Sequence, residues 1–356
     1  GGEIRSVPNA SGGVIPWIKI VNDTAVAVNQ LGKRSGAVTV ALDVWHRDIE
    51  DFLELQTENG DQRKKAYDLF PQIVIPDLFM ERVKADADWT LLDPDEIRRI
   101  HQVELAELWG EEFTRAYKQF ETDSNLIQSK KVKARDVFKR AMKSQLETGM
   151  PYMFFKDTVN AMNPNKHDGM IGSGNLCQES FSNFKPSKII GEKSQDDPIT
   201  REVEAGLIHT CNLVSLNLAL LLERQDLAES CAMAVRILDN TIELTVTPVQ
   251  ESNRHNHIYR TIGVGAMGFA DYLAHKELVY GSPESVSEAD RLFEWIAYHT
   301  VQASMELSRD RGSYPKFEGS DWSKGICFGR DGKALKANTH LGDRWEVLIS
   351  DIQKHG

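Results

Sequence analysis

The sequence predicts an α/β fold. Three observations carry that reading: short apolar runs bounded by turn residues, amphipathic stretches of helical period between them, and an order of helix, turn, strand and helix that opens the chain and returns less clearly later. The first element is residues 14 to 28, VIPWIKIVNDTAVAV, apolar with helical spacing over most of its length. Asn29 to Gly36 is a basic, glycine-bracketed turn, and AVTVAL at 37 to 42 reads as a buried strand. Asp48 to Leu55 has an acidic first turn and apolar residues at 49, 52, 53 and 55, which predicts an amphipathic helix. QIVIPDLF at 72 to 79 reads as a short strand stopped by Pro76.

Residues 96 to 148 are highly charged and mostly helical, with Gly149 as the stop. The stretch 160 to 175 is a loop with four Asn, three Gly and one Pro, and long loops in compact domains tend to carry function. Residues 181 to 205 are polar and predict a surface excursion, whereas 227 to 245 form a long apolar-faced helix. A last strong helix is expected over 287 to 312, with Ser287 as N-cap and Gly312 after its end. The chain closes in the manner of a helix ending on Gly356, and it opens without Met, so it is expected to be a piece of a longer protein. No internal repeat or low-complexity tract is present.

At 356 residues the chain has the size of about two ordinary domains or one large one. Its net charge of −11, with no block of Lys or Arg, argues against a dedicated binder of nucleic acid or acidic membrane. No apolar run reaches the ~18 residues of a spanning helix, and no charged-then-apolar leader is present. Four cysteines, at 177, 211, 231 and 327, include no CxxC pair; they fit neither a disulfide scaffold nor a zinc knuckle, and a reducing cytoplasm is expected.

Familiar motifs mostly fail. GVGAMG has Gly263, Gly265 and Gly268 in GxGxxG spacing, but the helix after it is followed by another helix, so no βαβ unit closes; tight packing of a helix against a neighbour is the expected role. His255 and His257 stand two apart in RHNHIYR without a third metal ligand nearby, so exposed hydrogen-bonding histidines are expected and no metal site is assigned. HExxH, GxxxxGK[ST] and GxSxG are all missing. The informative segment is Gly174 to Glu179, GNLCQE. If it is extended, Asn175, Cys177 and Glu179 project to one side and Leu176 and Gln178 to the other. That is either a catalytic constellation of amide, thiol and carboxylate or a loop cysteine among polar neighbours. Cys211, at the start of the apolar run CNLVSLNL, is either ordinary packing or a second sulfur for redox chemistry.

GNLCQE followed by CNLVSLNL resembles the NLCxE and CNLxSLNL segments of the large catalytic subunit of ribonucleotide reductase. Residues 11 to 55, VIPDLFMERV (74 to 83), ETGMPYMFFKDTVN (147 to 160) and RTIGVGAMGFADYLA (260 to 274) look like the same family in the same order. The resemblance covers essentially the whole chain, and it explains GVGAMG as a glycine-containing helix start. It implies a ten-stranded mixed α/β barrel with a central finger loop, of which 1 to 356 would be the central part, with the flanking parts outside this chain.

By that resemblance Cys177 would become the thiyl radical that removes the 3′ hydrogen of the ribose, Glu179 would take the 3′-hydroxyl proton, and Asn175 would bind the ribose hydroxyls. Cys211 would be one of two cysteines that reduce the 2′ position and form a disulfide, its partner lying upstream of Gly1. Cys231 and Cys327 fall in no family motif and are expected to be ordinary thiols. Arg5 lies in the first effector-reading loop and Gln30, Lys33 and Arg34 in the second; together with Ser173 they are implied substrate or effector contacts. Gly174 departs from the Ser often found there, which puts one substrate contact in doubt.

The implied cofactor is none on this chain itself, with the radical supplied by a dimetal small subunit, or by adenosylcobalamin as the alternative, and with deoxynucleotides and ATP as effectors. The implied partners are a ribonucleotide substrate, a deoxynucleoside triphosphate effector, the small subunit, a second copy of the chain, a thioredoxin or glutaredoxin-type reductant and the missing flanking segments. Alone, the chain is expected to be inactive. The rival reading is a non-catalytic nucleotide-binding or assembly module of the same fold. A nicotinamide oxidoreductase built on GVGAMG fails on the missing βαβ closure.

Overall fold

The computed structural model describes the chain apart from Gly1, Arg5, Ser6, Pro8, Asn9, Gln30, Leu31 and residues 194–199. It divides into two compact units, Gly1–Ala161 with Ile171–Phe181, and Met162–Met170 with Ser182–Gly356.

In the first unit α1 (Ile15–Ala27) buries Ile15, Ile18, Asn22 and Ala25, as its spacing predicts. The strand β1 (Val38–Asp43) is half-buried along its length rather than fully buried, because it is the edge of a three-stranded sheet. The expected helix at 48 to 55 shrinks to the single turn α2 (Ile49–Phe52), yet Ile49, Phe52, Leu53 and Leu55 are all buried. Next, β2 (Leu69–Ile75) begins three residues earlier than expected, runs through Pro71, and ends where Pro76 caps α3 (Asp77–Ala85). After β3 (Asp88–Leu91), the charged region resolves into α4 (Pro94–His101), α5 (Gly110–Phe120), β4 (Lys130–Lys133) antiparallel to β3, and α6 (Ala134–Thr148). Gly149 ends α6 at φ +80°, a conformation that costs glycine little. Finally β5 (Tyr152–Phe155) passes directly into α7 (Lys156–Ala161).

The strands β1, β2 and β5 are parallel, in that order, with Ala41 opposite Gln72 and Gln72 opposite Tyr152. Since side chains alternate along a strand, one face carries Val38, Val40, Leu42, Leu69, Ile73, Ile75 and Met153 into the main core with Phe79, Trp89, Phe113 and Tyr117. The other face carries Thr39, Ala41, Asp43, Phe70, Gln72, Val74, Tyr152 and Phe154. Residues Ile171–Phe181 pack on that second face.

In the second unit the segment expected to be a surface excursion starts with the buried Ser182 and Asn183 and then forms an antiparallel pair, β6 (Lys188–Lys193) with β7 (Thr200–Glu204), of which β7 is exposed along its length. The strand β8 (Leu213–Asn217) leads through α8 (Leu218–Arg224), α9 (Leu227–Leu244) and α10 (Gln250–Tyr259) to β9 (Gly263–Met267), which pairs parallel to β8. GVGAMG therefore lies on a strand and not at a helix start alone. A side chain at Gly263 would collide with Leu213, and Gly268, at φ +75°, caps α11 (Phe269–His275). His255 and His257 lie on α10, which turns His255 into the interior and leaves His257 exposed, so only one matches the expected exposed role. The long helix α12 (Pro283–Arg311) starts before Ser287: Ser282 accepts from the Ser285 amide at 3.2 Å, and Pro283 suits the first helical position. It ends at Gly312 as expected. The short pair β10 (Ile326–Cys327) and β11 (Arg330–Asp331), then α13 (Gly332–Asn338) and α14 (Gly342–His355), complete the chain.

The α/β class holds. Among the described residues the strands form one three-stranded and four two-stranded sheets, and none closes into the ten-stranded barrel expected. Among the same residues no helix is long and apolar enough to cross a membrane.

Candidate active site

The loop bearing Cys177 is built from an anchor and a turn. Asn160, fully buried at the end of α7, donates to the carbonyl of Ile171 at 2.9 Å and accepts from its amide at 2.8 Å. Ile171 itself is buried with Val74 and Phe154. Further on, the Thr39 hydroxyl of β1 donates to the Leu176 carbonyl at 2.9 Å, and Phe181 meets Phe154 edge to face with ring centres 5.6 Å apart.

Between these anchors residues 175 to 178 are not extended, which corrects the one-sided alternation expected of them. The Gln178 amide donates to the Asn175 carbonyl at 3.4 Å, and Gln178 has φ +66°. The chain turns there because Gly174 leaves room that Gln178 and Phe181 fill; any Cβ would collide with both. Cys177 and Glu179 nevertheless emerge exposed, while Leu176 and Gln178 are half-buried. Asn175 is half-buried, and its side-chain oxygen accepts from the Ser180 amide at 3.1 Å. Ser173 is half-buried at a bend. Lys33 and Arg34 are exposed in the turn that leads into β1, and Arg5 and Gln30 lie outside the described residues.

Asp43 ends β1 on the face that carries the loop. Burial pushes its carboxyl up to about 6, against the pull of Lys156, whose Nζ is 3.9 Å away. Burial likewise lowers Lys156, which is held by the Ala106 carbonyl at 2.5 Å. Asp157 accepts from the amides of Asp77 and Gly110 at 2.8 and 2.7 Å, so one buried carboxylate caps both α3 and α5.

In the second unit Cys211 is exposed just before β8. Its neighbour Asn212 ties the strand to α10 and β9 by donating to Asn256 and to the Thr261 carbonyl, both at 3.1 Å. The asparagines of the loop's first half are structural here. Asn163 donates to Asn183, Asn183 to the Asn165 carbonyl, and Tyr259 to Asp168, which Lys316 also reaches. The His255 ring lies tilted against those of His209 and Tyr259 and shares a 2.9 Å hydrogen bond with Ser182; burial pushes it down to about 3, so it is neutral. Cys231 and Cys327 are buried, and burial raises both thiols, Cys327 to about 12, as ordinary interior cysteines.

The sequence reading missed Asn160, Thr39 and Gln72 as loop supports. Only Gln72 left a signal, a lone amide inside the apolar run LFPQIVI. Among the described residues no three His, Cys, Asp or Glu are grouped to hold a metal ion.

The model of the ribonucleotide reductase barrel domain matches residues 1–356. The chain is 53% identical to the ribonucleoside-diphosphate reductase subunit alpha of Synechocystis, over 100% of this chain and 44% of that protein. It is 37% identical to the subunit alpha of Helicobacter pylori over 100% of the chain and 50% of the relative, and 34% identical to the large subunit of Plasmodium falciparum over 99% and 41%. The chain thus spans about half the length, or somewhat less, of the curated relatives it matches. A model match over every residue, with relatives aligned along the whole chain, makes this protein a member of the ribonucleotide reductase barrel-domain family.

Proposed function

We propose that the chain is the central part of the catalytic barrel of a ribonucleoside-diphosphate reductase, reducing ribonucleotides to deoxyribonucleotides by radical chemistry. The observation that carries this reading is the exposed Cys177 beside the exposed Glu179 on a turn secured at both ends, in a chain of this family. The parallel set β1, β2 and β5 and the parallel pair β8 and β9 are proposed as parts of the larger ten-stranded barrel, completed by flanking segments of the subunit.

An oxidising equivalent from a dimetal small subunit, or from adenosylcobalamin as the alternative, would leave the Cys177 sulfur one electron short. Cys177 then takes the 3′ hydrogen of the ribose, and Glu179 accepts the 3′-hydroxyl proton as the radical at C3′ acidifies it. Asn175 orients the hydroxyls. The 2′-hydroxyl leaves as water while two thiols, Cys211 and one from outside this sequence, supply two hydrogens and two electrons and join as a disulfide. The buried Cys231 and Cys327 are poor candidates for that second thiol. Returning the hydrogen from Cys177 to C3′ restores the starting radical. A thioredoxin or glutaredoxin-type protein reduces the disulfide.

Lys33 and Arg34, exposed ahead of β1, suit the phosphates or base of a deoxynucleotide or ATP effector, together with Arg5, Gln30 and Ser173. The homodimer is supported by α1, which exposes Trp17, Ile20, Val21 and Val26. A cytoplasmic setting suits four cysteines that form no disulfide with one another.

The test supplies the flanking segments and the radical source. Cys177→Ser should abolish all substrate chemistry, including exchange of the 3′ hydrogen. Cys211→Ser should keep that abstraction but release free base instead of deoxynucleotide. Activity in the first variant, or the same behaviour in both, contradicts the assignment; nucleotide binding without any chemistry in the parent favours the non-catalytic module.

A further inference from the structure

The turn that presents Cys177 rests on a residue the proposed chemistry does not use. Gln72 lies in the middle of β2, fully buried, on the sheet face that receives the loop. Its Nε2 donates to Oε1 of Gln178, and Nε2 of Gln178 donates to the Asn175 carbonyl at 2.6 Å. Among the described residues the Oε1 of Gln72 has no hydrogen-bond partner. An interior acceptor left unmet costs stability, and an apolar side chain in the run Ile73, Val74, Ile75 would avoid that cost. Gln178 carries a second cost, its positive φ of +66° on a residue with a Cβ. Both costs fall on one contact, and that contact closes the turn from 175 to 178 that contains Cys177.

We propose that Gln72 is a positioning residue: acting through Gln178, it fixes the turn and so the direction in which the Cys177 thiol is presented. This deepens the reading of Cys177 as the substrate-facing thiol and rests on it. The Thr39 contact to the Leu176 carbonyl holds the turn from β1, so loss of the Gln72 link loosens the turn without releasing the loop. With one neutral hydrogen bond at stake, the expected scale is about tenfold.

Three variants of the whole chain test it: Gln72→Leu, Gln178→Gly, which keeps the positive φ while deleting the amide, and the double. Iodoacetamide is the probe, and peptide mass spectrometry follows Cys177 and Cys211 separately. Each single variant should raise the Cys177 alkylation rate at least about threefold and leave Cys211 within about twofold, and the double should add nothing further, as for two groups in one linkage. With the flanking segments and radical source supplied, kcat should fall about tenfold while KM for the ribonucleotide stays within about twofold. The proposal is overturned by additive effects in the double, by equal acceleration at both cysteines, or by a Gln178→Gly chain that labels and turns over like the parent. Where Gln72→Leu does not fold, Gln178→Gly decides the matter from the loop side. A parent chain that labels as expected but never turns over refutes the reductase reading, and the labelling still decides the role of Gln72.

Discussion

Replacing Asn160 by Ala should release the near end of the Cys177 loop. The Asn160 side chain makes three hydrogen bonds, to the carbonyls of Lys156 and Ile171 and from the amide of Ile171, at 2.9, 2.9 and 2.8 Å. Alanine leaves the amide and carbonyl of the buried Ile171 without those partners. At ~1–3 kcal/mol for each buried group left unmet, the cost is ~2–6 kcal/mol, with about 3 kcal/mol as the working figure. Because the lost bonds tie the loop to α7 and not the core strands to one another, the loss should appear first as local opening. Three kcal/mol is about 10²-fold in the opening equilibrium. Native-state thermolysin digestion, with cleavage mapped between 162 and 181, reads that equilibrium when reclosing outpaces cleavage. Asn338→Ala, at an exposed position on α13, serves as control and should leave cleavage unchanged. Acceleration of less than about threefold for Asn160→Ala would mean that Asn160 does not hold the loop, and the account of how Cys177 is carried would fail.

Two further outcomes follow. Glu179→Gln keeps shape and hydrogen bonding but cannot accept a proton, so nucleotide binding should stay near that of the parent while turnover of the reconstituted enzyme falls by about 10²-fold or more; parental turnover would remove Glu179 as the base. Asp43, raised from 3.8 to about 6 by burial, binds its proton more tightly folded than unfolded, so its contribution to stability is complete below about 4 and is lost as pH rises through 6. Asp43→Asn should flatten that decline, seen as a smaller difference between urea midpoints at pH 4 and pH 7, and an unchanged difference would refute the burial argument.

Elements written in a contiguous stretch were legible in the sequence. The α1 face, the stop of α6 at Gly149, the length of α9, and the end of α12 at Gly312 all depend on the period of 3.6 and on residues that tolerate particular φ values. Cys177, Glu179, Asn175 and Cys211 were legible as candidates because few residue types do such chemistry and their motifs are short. Local signals also misled. Ser287 resembles a cap, but Ser282 followed by Pro283 holds the position, since a proline already set at helical φ favours the earlier start. The paired histidines were both expected to be exposed, but α10 turned His255 inward and left His257 outside.

What the sequence by itself determined, then, is the α/β class, the main helices and which side chains are candidates for the chemistry. Only the tertiary structure decided how those side chains are held. The alternation expected from 175 to 179 gave way to a turn because Thr39 and Gln72, 137 and 106 residues away from their partners Leu176 and Gln178, reach the loop from a sheet face. Separations of that length leave no local pattern: a strand's period says which side chains share a face, and only the packing of the face says what lies on it. Gln72 shows the division most clearly, an unexplained amide in an apolar run until the folded chain sets Gln178 against it.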